Sequence, residues 1–480
     1  MRKHIIISVF FWLWLLSFSV FGLNRIIVYP SPRGEVMSNV YSVSVSGKKL
    51  PVYPAKIGAA DDKRRFLAVD DLLHSDQYFD TAAFGYFDLE GEATITITGK
   101  QLVNSVKVLP YAASRKVIKK GNTVTFKVSK AQNLTIEING EWIRSLHLFV
   151  NPIEKNRPKP GTRNVLFFGP GVHRVSARII TDNQTVYIAG GAIVKVVVGS
   201  GEKFVVEPIG LRNYEPRFWL KGRNIVVRGR GILDASECPV HTGNFITVNG
   251  SNIKLEGVIL LNSCGWTVPV RQSSGVVIDN IKILGYRGNS DGVDICNSTN
   301  VIVKNCFVRT NDDLIVVKTF EKQGEAKDIL VQSCVLWNPF AHALSIGAEV
   351  REPIKNVTFE DCDILHDQGR EWTLRVFNSD TATVNNISFN RIRVHDSHNL
   401  ISLWIGRNAS TLNNRGGSIK NIYFNRIDAD GSPLNVRLEG WQNNFVENVQ
   451  FKAVKLNGRL LQLPQVVTNP YVRKVAVSNN

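Results

Sequence analysis

Four short stretches in the C-terminal half carry side chains suited to acid–base work: Gly288-Asn-Ser-Asp-Gly-Val-Asp-Ile295, Thr310-Asn-Asp-Asp-Leu-Ile-Val-Val-Lys318, Ala341-His-Ala-Leu-Ser-Ile-Gly347 and Thr373-Leu-Arg-Val-Phe377. They supply three carboxylates (Asp291, Asp312 and Asp313), the imidazole of His342 and the guanidinium of Arg375. Carboxylates gathered in one place repel, and at least one is pushed towards its protonated form. A proton-bearing acid beside an ionised carboxylate is what cleavage of a glycosidic bond needs. The acid protonates the leaving oxygen and the carboxylate activates water. In inverting enzymes a gap of about 6.5–9.5 Å holds that water.

Such chemistry requires an element that brings the four stretches onto one wall. From about residue 224 a short pattern recurs, in which a polar or small residue precedes an alternating apolar run. Its first residue falls at 224, 252, 275, 300, 328, 356, 386, 421 and 448. Self-similarity at this spacing marks a solenoid or a propeller. A propeller blade needs about 40 residues, whereas the shorter spacing here suits one coil of three short parallel strands. The sixth residue after each start is Val258, Ile281, Cys306, Cys334, Cys362, Ile392, Ile427 and Val454, which predicts an apolar column inside a parallel β-helix. The leading Asn reads as a ladder of turn positions. Residues at one phase in successive coils lie about 4.8 Å apart, so Asp291, Asp312, Asp313, His342 and Arg375 are placed on one face. Any single Asp at such a turn simply caps it, and Asp294 and Asp361, at other phases, are expected to do that. Joint occurrence on four adjacent coils points to a site.

Before the repeat, residues 23–154 alternate with period two, as in Ala93-Thr-Ile-Thr-Ile-Thr98 and Asn122-Thr-Val-Thr-Phe-Lys-Val128. Turn pairs of Asn and Gly punctuate them, so an antiparallel β-sandwich is expected there. The Pro-rich stretch Asn151 to Gly161 reads as the linker into a β-helix domain over 155–480. Residues 1–22 join a basic start, Arg2-Lys3-His4, to an apolar run, the pattern of a secretory signal peptide. The expected location is therefore periplasmic or extracellular, with no membrane association after cleavage. Hydrophobic residues make up 44 % and charged residues 21 % of the 480, which excludes wholesale disorder. Lys and Arg number 58 against 41 Asp and Glu, a net charge of +17 that favours polyanions as a diffuse field. The basic residues form no block, so no nucleic-acid partner is expected. Cys306, Cys334 and Cys362 recur every 28 residues and read as core positions rather than disulfides. No His/Cys cluster has ligand spacing, so neither a metal nor another cofactor is expected. Oligomeric state is left open.

The set Asn289-Ser-Asp-Gly292, Asn311-Asp-Asp313, Ala341-His-Ala343 and Leu374-Arg-Val376 resembles the polygalacturonase family, glycoside hydrolase family 28. The sandwich before the repeat, with Phe167-Phe-Gly-Pro-Gly-Val-His173, is similar to the dextranase/isopullulanase family 49. The resemblance implies an all-β chain, its solenoid a right-handed parallel β-helix, and a glycosidase that inverts the anomeric carbon. It also implies that Asp312 is the general acid, that Asp291 and Asp313 hold and activate water, that His342 tunes the acid, and that Arg375 binds substrate. Two departures stand out: alanines flank His342 where the family has glycines, and Phe377 replaces the family's lysine two residues after Arg375. Loss of that cation weakens the reading for a polyuronate; Lys318 is a candidate to compensate, and Trp404 a candidate platform for a sugar ring. The expectation is a secreted hydrolase of a polysaccharide or oligosaccharide, pectic by preference. A dextranase-like enzyme of neutral α-glucan and a non-catalytic carbohydrate-binding or adhesion protein are the alternatives. A lyase abstracting a proton beside a uronate carboxylate and a retaining glycosidase are further readings.

Overall fold

The computed structural model describes residues 24–58, 78–111, 115–206, 212–369, 371–407, 411 and 416–479. The signal segment expected at 1–22 lies outside them. Two sheets come first. A six-stranded sheet runs from Arg25–Val28 to Glu141–Pro152, and a five-stranded sheet contains Tyr41–Val45, Ala93–Gly99 and Thr123–Val128. Period-two alternation explains their contact: Val43, Ile95, Ile97 and Phe126 turn inward, against Phe87, Leu134 and Leu148 of the other sheet. All but one of the pairings are antiparallel. The exception is Glu141–Pro152, which runs parallel to Asp80–Glu90.

From Val165 onwards the chain winds into a right-handed parallel β-helix. Each regular coil has three strands, and each strand pairs with its counterpart one coil later. One coil comprises Thr299–Lys304, Phe307–Arg309 and Ile315–Thr319; the next comprises Ala326–Gln332, Val335–Trp337 and Leu344–Val350. The predicted apolar column is continuous. Val258, Ile281, Cys306, Cys334, Cys362, Ile392, Ile427 and Val454 all lie in one core, and the cysteines are unbridged. Beside it Phe359, Phe389, Phe424 and Phe451 stack at 4.9, 4.9 and 5.1 Å.

The leading residue of every repeat is left-handed. Asn224, Asn252, Asn300, Asp328, Asn356, Asn386, Asn421 and Asn448 have φ between 52° and 59°, and Gly275 has 66°. Asn, Asp and Gly occupy this region at least cost, which is why these three residue types recur there. Side chains link the positions across coils: Asn356 donates to Asp328 at 2.9 Å and Asn386 to Asn356 at 2.9 Å.

The sandwich sits on the sheet of shortest strands. Tyr53, Phe84 and Phe149 pack on Leu284, Phe307, Trp337 and Leu365. Polar anchors fix the seat: Arg230 bonds Asp88 at 2.9 Å and His366 bonds Glu137 at 2.6 Å. Gly58, at the end of a sandwich strand, lies so close to Asn311 that a Cβ there would meet its Oδ1 at 2.8 Å. The sandwich therefore walls the turns that carry Asp312 and Asp313.

Asn356→Ala is expected to destabilise the fold by about 1–2 kcal/mol, the cost of a left-handed L-residue, and Asn356→Gly by less. Thermal or denaturant midpoints check this; equal losses for Ala and Gly would contradict the conformational explanation.

Candidate active site

Four successive turns join the short-strand sheet to the third sheet, and the four stretches identified in the sequence run from these turns into the strands that follow, with Arg375 on strand Leu374–Asn378. The backbone ladder runs straight through these turns. Thr267 N–H donates to the Asp291 carbonyl at 2.8 Å, Gly292 N–H to the Asp313 carbonyl at 2.8 Å, and Leu314 N–H to the His342 carbonyl at 2.9 Å. The main chain of Asp291 and of Asp313 is thus tied to the preceding coil. Position 292 has to be glycine, since a Cβ would lie 2.3 Å from the Leu314 carbonyl oxygen and 2.6 Å from Val308. The alanines flanking His342 are both buried.

Asp291, Asp312 and Asp313 converge: one oxygen from each lies within 4.8 Å of the others. The open gap of about 6.5–9.5 Å anticipated from splayed neighbouring coils is not present between these oxygens. Lys318 sits among them. Its ammonium is 2.9 Å from Asp294, 3.2 Å from Asp291 and 3.7 Å from Asp313. Its Nζ also lies 4.2 Å from the centre of the Trp266 ring. This corrects two expectations. Lys318, read as a compensating cation for substrate, is buried and engaged by acids. Asp294, read as a turn cap, points outward from strand Val293–Cys296 into the cluster and is fully buried. The three converging carboxylates are also the donors that would hold a metal ion, but Lys318 already supplies a positive charge at that point.

Further along the wall, His342 Nδ1 lies 2.5 Å from Asp313 and its Nε2 2.8 Å from Glu371. Arg375 reaches the same place, with Nη1 2.6 Å from His342 Nε2 and 3.0 Å from Glu371; its Nε donates to Ser345 and its Nη2 to the Gly347 carbonyl. The imidazole contacts Asp313 rather than Asp312, so the expected tuning of the acid does not run through a direct bond. Trp404 lies one coil beyond Arg375 and stacks on Phe377 with ring centres 4.2 Å apart. Glu371 escaped the sequence reading because no repeat position marks it. Asp294 had a signal: it and the strand residues facing outward from Asp291's coil share one parity.

The four aspartates and Glu371 share this wall with three basic groups, Lys318, His342 and Arg375. Burial, reinforced by Asp294 and Asp312, pushes the Asp291 carboxyl well above its usual range. Burial also raises Asp294, against the pull of Lys318. At Asp313 burial is outweighed by His342, Lys318 and Arg375, which hold its carboxyl well below normal. Burial and Arg375 push His342 down, but Asp313 and Glu371 prevail and its pKa is raised. Burial would lower Lys318, yet Asp294, Asp291 and Asp313 hold it firmly charged. Asp312 is the half-buried member of the three.

Residues 233–474, half of the chain, match the model of Glycosyl hydrolases family 28. The chain belongs to this family. The chain is 28 % identical over 185 residues to the probable exopolygalacturonase B of Aspergillus terreus, covering 35 % of this chain and 40 % of that protein. The alignment therefore spans about two-fifths of that relative's length. Among solved structures, Dex49A from Penicillium minioluteum superposes with a TM-score of 0.64 at 13 % identity, covering 94 % of this chain and 96 % of its own. The family 28 exopolygalacturonase of Yersinia enterocolitica gives 0.51 at 14 % identity, with the same coverage of both chains. At these identities the likeness is one of fold, and it extends over sandwich and β-helix together.

A raised carboxyl binds a proton more tightly folded than unfolded. Asp291 therefore costs stability progressively as pH rises above the unfolded carboxylate value of about 3.9. Asp291→Asn is expected to raise the thermal midpoint at pH 7 relative to wild type, with the difference vanishing near pH 3.5. An equal or lower midpoint at pH 7 would contradict the assignment of the proton to Asp291.

Proposed function

We propose that this chain is an inverting glycoside hydrolase that cleaves O-glycosidic bonds of a polysaccharide or oligosaccharide. The observation that carries the hydrolase reading is the convergence of Asp291, Asp312 and Asp313 within 4.8 Å on successive coils, with His342 and Arg375 alongside, while inversion rests on the resemblance to family 28. Asp312, the most accessible carboxyl of the three, gives its proton to the glycosidic oxygen as the bond to the anomeric carbon breaks. Water attacks that carbon, and its proton passes to the carboxylate of Asp313. His342 and Lys318 keep Asp313 ionised for this task. Asp291 differs from the water-activating part implied by the resemblance: raised by burial, it stores a proton beside Asp312 at rest. Arg375 lines the substrate side, and the half-buried Trp404 offers a ring for stacking. The exopolygalacturonase name of the fungal relative makes a pectic polymer the first substrate to test. The basic, apolar N-terminal segment supports export to the periplasm or the extracellular space; among the described residues no helix is long and apolar enough to cross a membrane.

Carboxyl groups this close also suit a double displacement, in which one of them attacks the sugar and configuration is retained. One experiment addresses both points. Wild type and Asp312→Asn are compared for release of reducing ends from polygalacturonate, rhamnogalacturonan, dextran and pullulan, and the first anomer released is read by proton NMR. Loss of an acid of this kind is expected to lower kcat about 10²–10⁴-fold in a protein that remains folded, and wild type is expected to release the inverted anomer. Full activity in folded Asp312→Asn would overturn the catalytic assignment; a retained anomer would replace the single displacement with the double one.

A further inference from the structure

Alternate residues of the third sheet project outward and line up from coil to coil. One row is Ser345, Arg375, Ser402 and Arg437; the neighbouring row contains Phe377, Trp404 and Glu439. A sugar lying along the wall past His342 meets this surface, and its chemistry follows from which members of the ion pairs there are exposed. Arg375 lies against His342 at the head of this surface, yet only 7 % of it is exposed. The carboxylate bonded to it, Glu371, has a side chain that is 42 % exposed. What solvent and substrate meet at this point is the anion of the pair. Two residues further along the strand stands Phe377, buried and stacked face to face on Trp404 with an interplanar angle of 10°. Lys318 is occupied by Asp291, Asp294 and Asp313. Arg437, two coils on from Arg375, is bridged to Glu439 at 2.6 Å.

A uronate placed here would set its carboxylate beside that of Glu371, and like charges at short range in a partly desolvated cleft disfavour each other. A neutral pyranose avoids this. Its hydroxyls donate to Glu371, and its apolar face meets the half-buried Trp404. We propose that Glu371 is a specificity-determining residue, setting the subsite over Arg375, Phe377 and Trp404 to accept a neutral sugar ring and to reject a uronate. The inference rests on the reading of this wall as a glycosidase active site.

Oligogalacturonides and their carboxyl-reduced counterparts share linkage and length and differ only in charge, so they isolate the effect. Binding of both is measured by calorimetry to the folded Asp312→Asn protein, with and without Glu371→Gln or Glu371→Asp. The reduced oligomer is expected to bind at least ten-fold more tightly. Glu371→Gln should narrow that preference five-fold or more, and Glu371→Asp, which keeps the charge, should largely preserve it. Equal or tighter binding of the uronate oligomer, binding of neither, or a preference that Glu371→Gln leaves unchanged would each overturn the proposal. Reducing-end release by wild type and Asp312→Asn separates the two levels. If Asp312→Asn abolishes hydrolysis while the preference does not depend on Glu371, only the specificity assignment falls. If Asp312→Asn hydrolyses normally, the reading of the site falls with it.

Discussion

Lys318 makes the rest of the wall possible. Asp291, Asp294, Asp312 and Asp313 come from two adjacent coils, and three of them lie within 4 Å of one buried ammonium. Without a cation there, a fully buried Asp294 and a nearly buried Asp313 would be charged groups removed from water and set against one another. With it, the cluster divides its roles. Asp313 is held ionised by Lys318, His342 and Arg375, while Asp291 retains a proton. The ionised Asp313 is the carboxylate that acid–base hydrolysis pairs with a proton-bearing acid, the part proposed for Asp312.

The scaffold delivers that arrangement through register. Cys296 pairs with Lys318 across the third sheet, and Asp294 lies two residues earlier on the same outward row parity. Left-handed Asn, Asp and Gly positions keep each coil's bend at the same phase. An error of one residue would turn Lys318 into the core and an apolar neighbour into the acids. The sandwich adds a wall rather than a charge: it covers the short strands beneath the acid-bearing turns and abuts Asn311.

Much of this is legible in the chain itself. The repeat starts, the apolar column, the period-two sandwich strands and the four acid-bearing stretches are local patterns, and local patterns survive being read in one dimension. What escaped depends on three-dimensional neighbours. The parallel pairing of Glu141–Pro152 with Asp80–Glu90 is a long-range choice with no sequence mark. Lys318 follows an apolar run that reads equally well with the lysine facing solvent; only the packing of the adjacent coil and Trp266 shows it buried. Asp294 falls outside the phase of the other acids along the chain, and only its place on strand Val293–Cys296 sets it on the outward side with Lys318. Glu371 lies on a turn whose length varies between coils, so its meeting with His342 and Arg375 had no periodic signature. The spacing of the carboxyls was misjudged because a shared cation, invisible in the spacing, lets them approach.

The most direct test of the central role of Lys318 is the pH dependence of kcat/KM in Lys318→Met, taken beside wild type with both shown to be folded by circular dichroism. Lys318 favours the ionised form of Asp313, so its removal raises the pKa of that carboxyl. The acid limb of the profile should therefore move to higher pH. An acid limb that stays in place in a folded, active Lys318→Met protein would contradict the account, because the carboxylates would then be set apart by something other than the buried ammonium.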